Sequence, residues 1–440
     1  MTNCFSTYSL SGVLRSVSLL SVALWGILAT SCKREMFDAE AYQTLLSETA
    51  PIGNIDSSHD WNLTKSYTVS VAADSPLPLS VKTVCVLNGN PIQSTTTEIL
   101  AEATATKGEE QSLFFYAPTC QKTFYAAIVT TDGDYLLKEF SVGEEKISFA
   151  TADGQPQTPA KAPQYQTYTY CYDSEYPKPS DDWDFNDLVL RIQKLPSQNA
   201  GELRLQISLS AVGCIVQMGA AVRLLGINHS DVESVSTEDG RTFDGTFDQM
   251  GIKRVFIEES SLLLRGRNGE AVLNLFEDAH WVMSPRIMTN GQGVVRMLYN
   301  TKREVDGTSS LQLMPKTLTY VVKLRDAKLL EKFTLENLDP FAIEDFNSGK
   351  WEIHDYAHKA DGVLHDYGNN ETATSNNMVW ALKIPSGTFR YPVETVNMGF
   401  FKDGILTGAY MQNNHSFGQW VENHNSSIDW FLYPSTGLVY

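Results

Sequence analysis

The sequence predicts an all-β protein, in which a small immunoglobulin- or fibronectin-like sandwich precedes a larger β-sandwich-like domain. Three observations predict this class. Apolar and polar residues alternate with a period of two in many segments, as in LRLQISLSA at residues 203–211. Turn-forming sequences such as Asn-Gly-Asn at 88–90 separate these segments. A proline-rich stretch at 154–164 divides the strand-rich chain into two parts.

The first 31 residues have the pattern of an export signal. They contain one charge, Arg15, and residues 17–28 form an apolar-rich run that is too short to span a bilayer. The run leads into LATSC, where small residues precede Cys32 as in a bacterial lipobox. We expect Cys32 to become the lipidated first residue of the mature chain, which would hold it at a membrane without a spanning helix. The alternative is a secretory signal followed by a chance cysteine.

The rest of the chain divides into four predicted parts. Residues 32–60 are expected to form a tether. Residues 61–153 contain several short alternating segments bounded by turn residues, which predict the small sandwich. The three prolines of residues 154–164 favour an extended linker. Residues 165–440 contain further strand-like segments and form the larger domain.

The net charge limits the classes of binding partner, and the cysteine content limits the possible disulfides. The formal net charge is −18 and no block of basic residues occurs, which argues against nucleic acid and allows bound cations. Export would permit disulfides. We interpret Cys85, Cys120, Cys171 and Cys214 mainly as small buried hydrophobic residues, with Cys85 and Cys120 as the pair to test first.

The most informative stretch is YPKPSDDWDFNDLVL at residues 176–190. It places Asp181, Asp182, Asp184 and Asp187 within seven residues, together with Asn186, directly before a predicted strand. Closely spaced carboxylates repel each other, and a bound calcium ion would remove that repulsion because it prefers such hard oxygen ligands. The spacing differs from an EF-hand, which needs a glycine at the sixth position and a glutamate at the twelfth. The alternative is an acidic turn whose aspartates face water and cap backbone amides.

Several motifs resemble one family. The segment TYCYDSEYPKPSDDWDFNDLVLRI, with LDPFAI at 338–343, GKWEIH at 349–354 and MVWALKIPSGTFRYPVE at 378–394, resembles the LruC-type (DUF4842-type) domain of surface lipoproteins from Bacteroides-like bacteria, the Bacteroidetes. The sequence departs from the family pattern at Ser174 and Ser180. The resemblance implies a β-rich fold, a cell-surface location and a cation site, and it implies no established reaction.

The predicted calcium site combines this loop with one residue that precedes it. Asp182, Asp184 and Asp187 would supply carboxylate oxygens. Asn186 would supply its amide carbonyl or a hydrogen bond to a ligand, and Asp173 would close the site. The ion would fix the start of the strand from residue 188, so its role would be structural.

Two other groups of residues were candidates for ligand binding. Trp380, Trp420 and Trp430 could stack on sugar rings or pack a partner strand, although packing in the core and edges of a sandwich is the favoured interpretation, because tryptophan buries a large area wherever it can. His354 and His358 have the spacing of zinc ligands on a helix, but the glutamate of an HExxH motif is missing and the surroundings read as strand and loop.

These observations lead to one functional hypothesis and two alternatives. We expect a lipid-anchored outer-membrane protein, exposed on the cell surface or at the periplasmic face, that is not an enzyme. It would be a structural, adhesive or binding module with a structural calcium ion and a glycan or protein ligand. The alternatives are a carbohydrate-binding lipoprotein of a glycan-uptake system and a hydrolase. No nucleophile motif such as GxSxG occurs.

Overall fold

The computed structural model confirms an all-β fold built from two sandwiches. Residues 1–54, including Cys32 and most of the predicted tether, lie outside the described part of the chain. The structure describes residues 55–74, 79–174, 182–197, 199–243, 257, 260–284, 288–289, 294–295, 297–301, 311–346, 349–359, 361–364, 368–369, 378–402 and 405–440. In those ranges no helix is both long and apolar enough to cross a membrane.

The N-terminal sandwich consists of a three-stranded sheet and a five-stranded sheet. Its strands are β1 Thr64–Ala73, β2 Val81–Leu87, β3 Glu98–Thr104, β4 Glu110–Pro118, β5 Thr123–Thr130, β6 Tyr135–Ser141, β7 Lys146–Phe149 and β8 Gln164–Tyr165. The sheet orders are β4-β1-β7 and β6-β5-β2-β3-β8. Alternate residues of both sheets, such as Val69, Val71, Leu113 and Phe124, fill the core between them.

In the described residues, the C-terminal sandwich consists of two six-stranded sheets, ordered β13-β20-β11-β10-β9-β24 and β14-β15-β12-β21-β22-β23. Four short two-stranded ribbons and two short α-helices complete the described part. The elements are β9 Thr167–Tyr172, β10 Leu188–Leu195, β11 Glu202–Ala211, β12 Met218–Asn228, β13 Val232–Thr237, β14 Leu263–Arg265, β15 Glu270–Phe276, α1 Ala279–Met283, β16 Met288–Thr289, β17 Val294–Val295, β18 Tyr299–Thr301, β19 Leu311–Leu313, β20 Lys316–Leu324, β21 Leu338–Phe346, β22 Gly349–Ile353, β23 Gly368–Asn369, β24 Ala381–Ile384, β25 Phe400–Lys402, β26 Ile405–Thr407, β27 Met411–Gln412, β28 His415–Ser416 and α2 Phe417–Glu422.

The core of the C-terminal sandwich follows from the period-two pattern. On β11, Leu203, Leu205, Ile207 and Leu209 are buried, and the polar residues between them point to the other face. Burying each such side chain contributes about 1.5–3 kcal/mol, so the alternation decides which face of the strand turns inward.

Residues 55–63 belong to the C-terminal sandwich, which corrects two predicted boundaries, the end of the tether at 60 and the start of the small sandwich at 61. Trp61 and Leu63 lie in the C-terminal core, and the ring of Trp61 packs edge-on against Trp420 of α2. The backbone N–H of Asp56 donates to the carbonyl of Val421 over 3.1 Å. His59 is buried between these tryptophans, and this burial lowers the pKa of His59 to about 4.

The predicted linker is also packed. Gln157 forms an isolated antiparallel bridge with Tyr135, and Gln164–Tyr165 pair in parallel with β3 as the edge of the five-stranded sheet. This stretch is therefore not a free linker. Proline has no backbone N–H, but the residues between the prolines do, and these form the hydrogen bonds to the sheet.

The four cysteines of residues 55–440 are free thiols, so Cys85 and Cys120 do not form a disulfide. Cys85, Cys171 and Cys214 are buried, as expected of small hydrophobic residues. Cys120 is partly buried and packs against the C-terminal core.

Candidate metal centre

The acidic loop alternates aromatic and polar residues, and this alternation shapes the site. Trp183 and Phe185 are buried in the C-terminal core, where Trp183 stacks on Trp380 with 4.6 Å between ring centroids. Both adopt left-handed backbone conformations, with φ of 57° and 54°. Such conformations are unfavourable for bulky residues and persist where surrounding contacts over-determine them. The two aromatic anchors therefore hold the polar residues between them in fixed positions.

Three carboxylates converge at this loop. Asp173, which follows β9, and Asp182 and Asp184 each offer an oxygen, and these oxygens lie within 4.8 Å of one another. Two oxygens that coordinate calcium at about 2.4 Å from opposite sides are at most ~4.8 Å apart, so the spacing fits one shared cation. Asp173 and Asp184 are buried, whereas Asp182 is exposed and leaves an approach from solvent.

Asp184 is held by two different segments. Its Oδ1 accepts a hydrogen bond from the backbone N–H of Asn186 over 3.0 Å. Its Oδ2 accepts from the Asn186 amide nitrogen over 2.8 Å and from the backbone N–H of Thr395 over 3.0 Å. Thr395 itself has a left-handed φ of 65°. The site thus joins the acidic loop to residues 392–395, which are distant in sequence.

Asn186 supports the site through its amide nitrogen. This nitrogen donates to Asp184 over 2.8 Å and to the carbonyl of Pro392 over 3.3 Å. The amide oxygen of Asn186 is buried against Gly213, where an added Cβ would lie 1.7 Å from it, and it has no hydrogen-bond partner among the described residues. The structure therefore shows the predicted hydrogen bond to a ligand residue, and the amide carbonyl as a metal ligand stays a prediction.

Asp187 also lies apart from the three converging oxygens, contrary to its predicted role as a ligand. Its Oδ2 accepts a 2.6 Å hydrogen bond from the backbone N–H of Ser174. This bond joins the end of β9 to the start of β10. Asp187 therefore holds together the two segments that carry the site, and its charge contributes to the raised pKa of Asp184.

A further acid, Glu394, was not predicted as part of the site. Burial, followed by the charges of Asp182, Asp187 and Glu394, raises the pKa of Asp184 well above its usual value. Burial raises the pKa of Glu394 to about 7, and the charge of Asp182 contributes to this shift. The amide nitrogen of Asn300 donates to Glu394. The carboxylates of Asp173, Asp182, Asp184 and Glu394 therefore lie in one partly buried region. A bound cation would favour the ionised form of all four.

The other predicted ligand residues have structural positions. Trp380, Trp420 and Trp430 are buried in the core, with exposed fractions of 0%, 1% and 0%. They present no ring face to solvent, so the prediction that they stack on a ligand is wrong and core packing accounts for them.

The two candidate zinc histidines are also separate. His354 is buried between Asp339, 3.0 Å away, and Glu352, 3.4 Å away. Burial lowers the pKa of His354, but the charges and hydrogen bonds of Asp339 and Glu352 together outweigh this and raise the pKa to about 9. His358 instead contacts Asp361. Among the described residues no histidine belongs to a group with metal-ligand spacing.

The fold and the site define a two-sandwich β protein with a carboxylate cluster at one end of the C-terminal sandwich. Residues 199–431, more than half of the chain, match the family model described as a domain of unknown function, DUF4842. The chain belongs to this family. No curated protein matches the sequence. The acidic loop precedes the matched residues, but Glu394 and Thr395 lie within them.

Proposed function

We propose that this chain is a non-enzymatic module that Cys32 anchors to the outer membrane, and that one calcium ion stabilises it at Asp173, Asp182 and Asp184. The observation that carries the cation proposal is the convergence of three carboxylate oxygens within 4.8 Å, two of them on buried residues. Burying like charges without a counter-ion is costly, so this arrangement favours a cation.

Calcium fits this ligand set better than zinc or magnesium does. The ligands are carboxylates without cysteine or histidine, and zinc in proteins is usually bound by those two residue types. Magnesium needs near-ideal octahedral geometry, whereas calcium tolerates irregular sets of six to eight oxygens that include water. Asp182 is exposed, so solvent can complete the coordination on that side.

The ion would have a structural role. Asp173 follows β9, the acidic loop leads into β10, and the backbone N–H of Thr395, far along the sequence, donates to Asp184. A cation bound to the first two segments would fix the third through Asp184. Cys32 and the signal-like residues before it support the membrane location, and the family resemblance supports a surface module.

The test is the melting temperature of the full chain in millimolar calcium and in chelator. An ion that binds only the folded state at tenfold excess over its Kd adds about 1.4 kcal/mol to the free energy of unfolding. We expect wild type to show this gain and Asp184→Asn to lose it, because the amide replaces a charged ligand. Asp132→Asn removes an equal charge from an exposed position of the N-terminal sandwich and should keep the full gain.

Two results would reject the cation proposal. The first is a wild-type melting temperature that chelator leaves unchanged. The second is a full calcium response in Asp184→Asn. In either case the loop is an acidic turn held only by its hydrogen bonds.

A further inference from the structure

A second candidate site lies between the two sandwiches. A cavity of about 320 Å³ has its floor on the outer face of β10 and β11 and its wall at Gln164 and Tyr165 of β8. Binding cavities for small molecules range upward from about 300 Å³, so this one suits a single ring. It is separate from the carboxylate cluster, because Thr167, which lines it, and Asp173 lie at opposite ends of β9.

The strand register explains why the floor is polar. Residues Leu190 and Ile192 of β10 point into the core, so Arg191 and Gln193 between them point outward. Arg191 is paired across the ladder with Ser208, and Gln193 with Gln206. The floor is therefore a two-by-two array of a guanidinium, a hydroxyl and two amides.

Among the residues that the structure describes, the guanidinium of Arg191 has no counter-ion. Its Nη2 donates to the carbonyl of Phe389 over 2.9 Å, and its buried Nε has no hydrogen-bond partner. No carboxylate of the described residues forms an ion pair with Arg191. A partly buried and unpaired charge is unfavourable, which is unexpected in a chain of net charge −18 where acids outnumber bases.

The other lining groups favour hydroxyl-bearing ligands. The amide nitrogen of Gln193 already donates to Tyr165 and Thr167, which leaves its carbonyl oxygen as an acceptor. The side chain of Gln206 makes no hydrogen bond to another described residue, so both its donor and its acceptor are available. Every residue that lines the cavity carries a polar group.

We propose that this cavity binds a sugar ring that carries a carboxylate, a ligand of the uronic-acid class. One guanidinium matches one carboxylate in charge, and the terminal N–H groups of Arg191 that do not donate to Phe389 can donate to the carboxylate oxygens. A phosphate carries more charge than a single arginine compensates. The amides and hydroxyls of the floor would then accept and donate hydrogen bonds to the ring hydroxyls. This site stands independently of the calcium proposal.

The experiment is a ligand-observed NMR titration of the full chain with glucuronate, galacturonate, glucose, acetate and inorganic phosphate. We expect a uronate to bind in the millimolar range or tighter, and glucose and acetate to bind at least about tenfold more weakly. The uronate offers both a charge-assisted hydrogen bond and ring hydroxyls, and each of the other two offers only one of these.

Three variants separate a specific site from a general effect of charge. Arg191→Gln should weaken uronate binding by about tenfold or more. Gln206→Leu should also weaken uronate binding, and this change breaks no side-chain hydrogen bond between described residues. Arg204→Gln is the matched control, because Arg204 lies on the same face of β11 but binds Glu238 and the carbonyl of Pro196, outside the cavity.

Five outcomes would overturn the proposal. The first four are no uronate binding at millimolar concentration, equal affinity for glucose, tighter binding of phosphate than of uronate, and unchanged uronate affinity in a folded Arg191→Gln protein. The fifth is an equal loss of uronate affinity in Arg204→Gln, because it would show a general charge effect.

Discussion

Replacing Gly213 by alanine should destabilise the protein through Asn186. A Cβ at this position would lie 1.7 Å from the amide oxygen of Asn186 and 2.9 Å from its carbonyl oxygen. Ordinary contact begins at 3.4 Å, so the amide would have to move by about 1.7 Å. Asn186 is fully buried and its backbone carbonyl already accepts from the N–H of Gly213, so the strand ends cannot separate freely.

The magnitude follows from two contributions. Over-packing a buried position costs about 1–3 kcal/mol. Displacing the amide also breaks its hydrogen bonds to Asp184 and Pro392, each worth about 1 kcal/mol net. We therefore expect Gly213→Ala to lower the free energy of unfolding by about 3–5 kcal/mol. The same movement removes the support of Asp184, so the variant should also lose most of its calcium response.

The assay is urea denaturation, with unfolding monitored by tryptophan fluorescence. Gly89→Ala is the matched control, because its added Cβ would meet only Thr97 at 3.5 Å. Both variants reduce the freedom of the unfolded chain equally, so the difference between them isolates the steric effect. If Gly213→Ala is as stable as Gly89→Ala, the close packing of Asn186 against Gly213 is wrong, and so is its role behind Asp184.

Two further predictions concern the junction of the sandwiches and the N-terminus. Burial raises the pKa of Glu98 to about 7, although its carboxylate accepts from the backbone of Thr167 and Gly387. Because this pKa is higher in the folded state, its stabilising contribution is complete below about pH 4.5 and is lost as the pH rises through about 7. Glu98 should therefore contribute a loss of about 2 kcal/mol between about pH 5.5 and pH 8, so Glu98→Gln should lose about that much less stability than wild type over this range. Parallel pH profiles of unfolding for the two proteins would contradict this. Cys32→Ala should leave the precursor unprocessed or soluble, and detergent-phase partitioning equal to that of wild type would show that Cys32 is not the anchor.

The alternation of apolar residues was sufficient to predict the strands and the two-sandwich class. On β11 each residue expected to face the core is buried, because one misplaced register step would expose the whole apolar set. The position of residues 55–63 was not predictable in this way. His59 and Trp61 sit in a short polar-looking stretch without periodicity, and only the distant helix α2 gives them a place to pack.

The sequence predicts only the part of the site whose residues are close together in the chain. Asp182 and Asp184 are neighbours in sequence, so their clustering is visible in the chain itself. Glu394 and Thr395 reach the cluster only through folding, since more than two hundred residues separate them from Asp184. The motif FRYPVE that contains Glu394 is part of the family resemblance, but nothing in its spacing indicates a site shared with the acidic loop. Similarly, the sequence shows tryptophans as large aromatic residues and leaves open whether they face solvent or core.

The path of the chain between the sandwiches determines how the protein carries mechanical load. Leu63 lies in the C-terminal core and Thr64 starts β1, while the Thr64 hydroxyl donates to Glu336 over 2.8 Å. The chain then builds the whole N-terminal sandwich and returns to the C-terminal sandwich at β9. A pull applied upstream of residue 55 therefore reaches the C-terminal sandwich first. While residues 55–63 stay packed against the C-terminal sandwich, the force does not pass through the N-terminal sandwich. The N-terminal sandwich can then remain folded while the C-terminal sandwich bears the force.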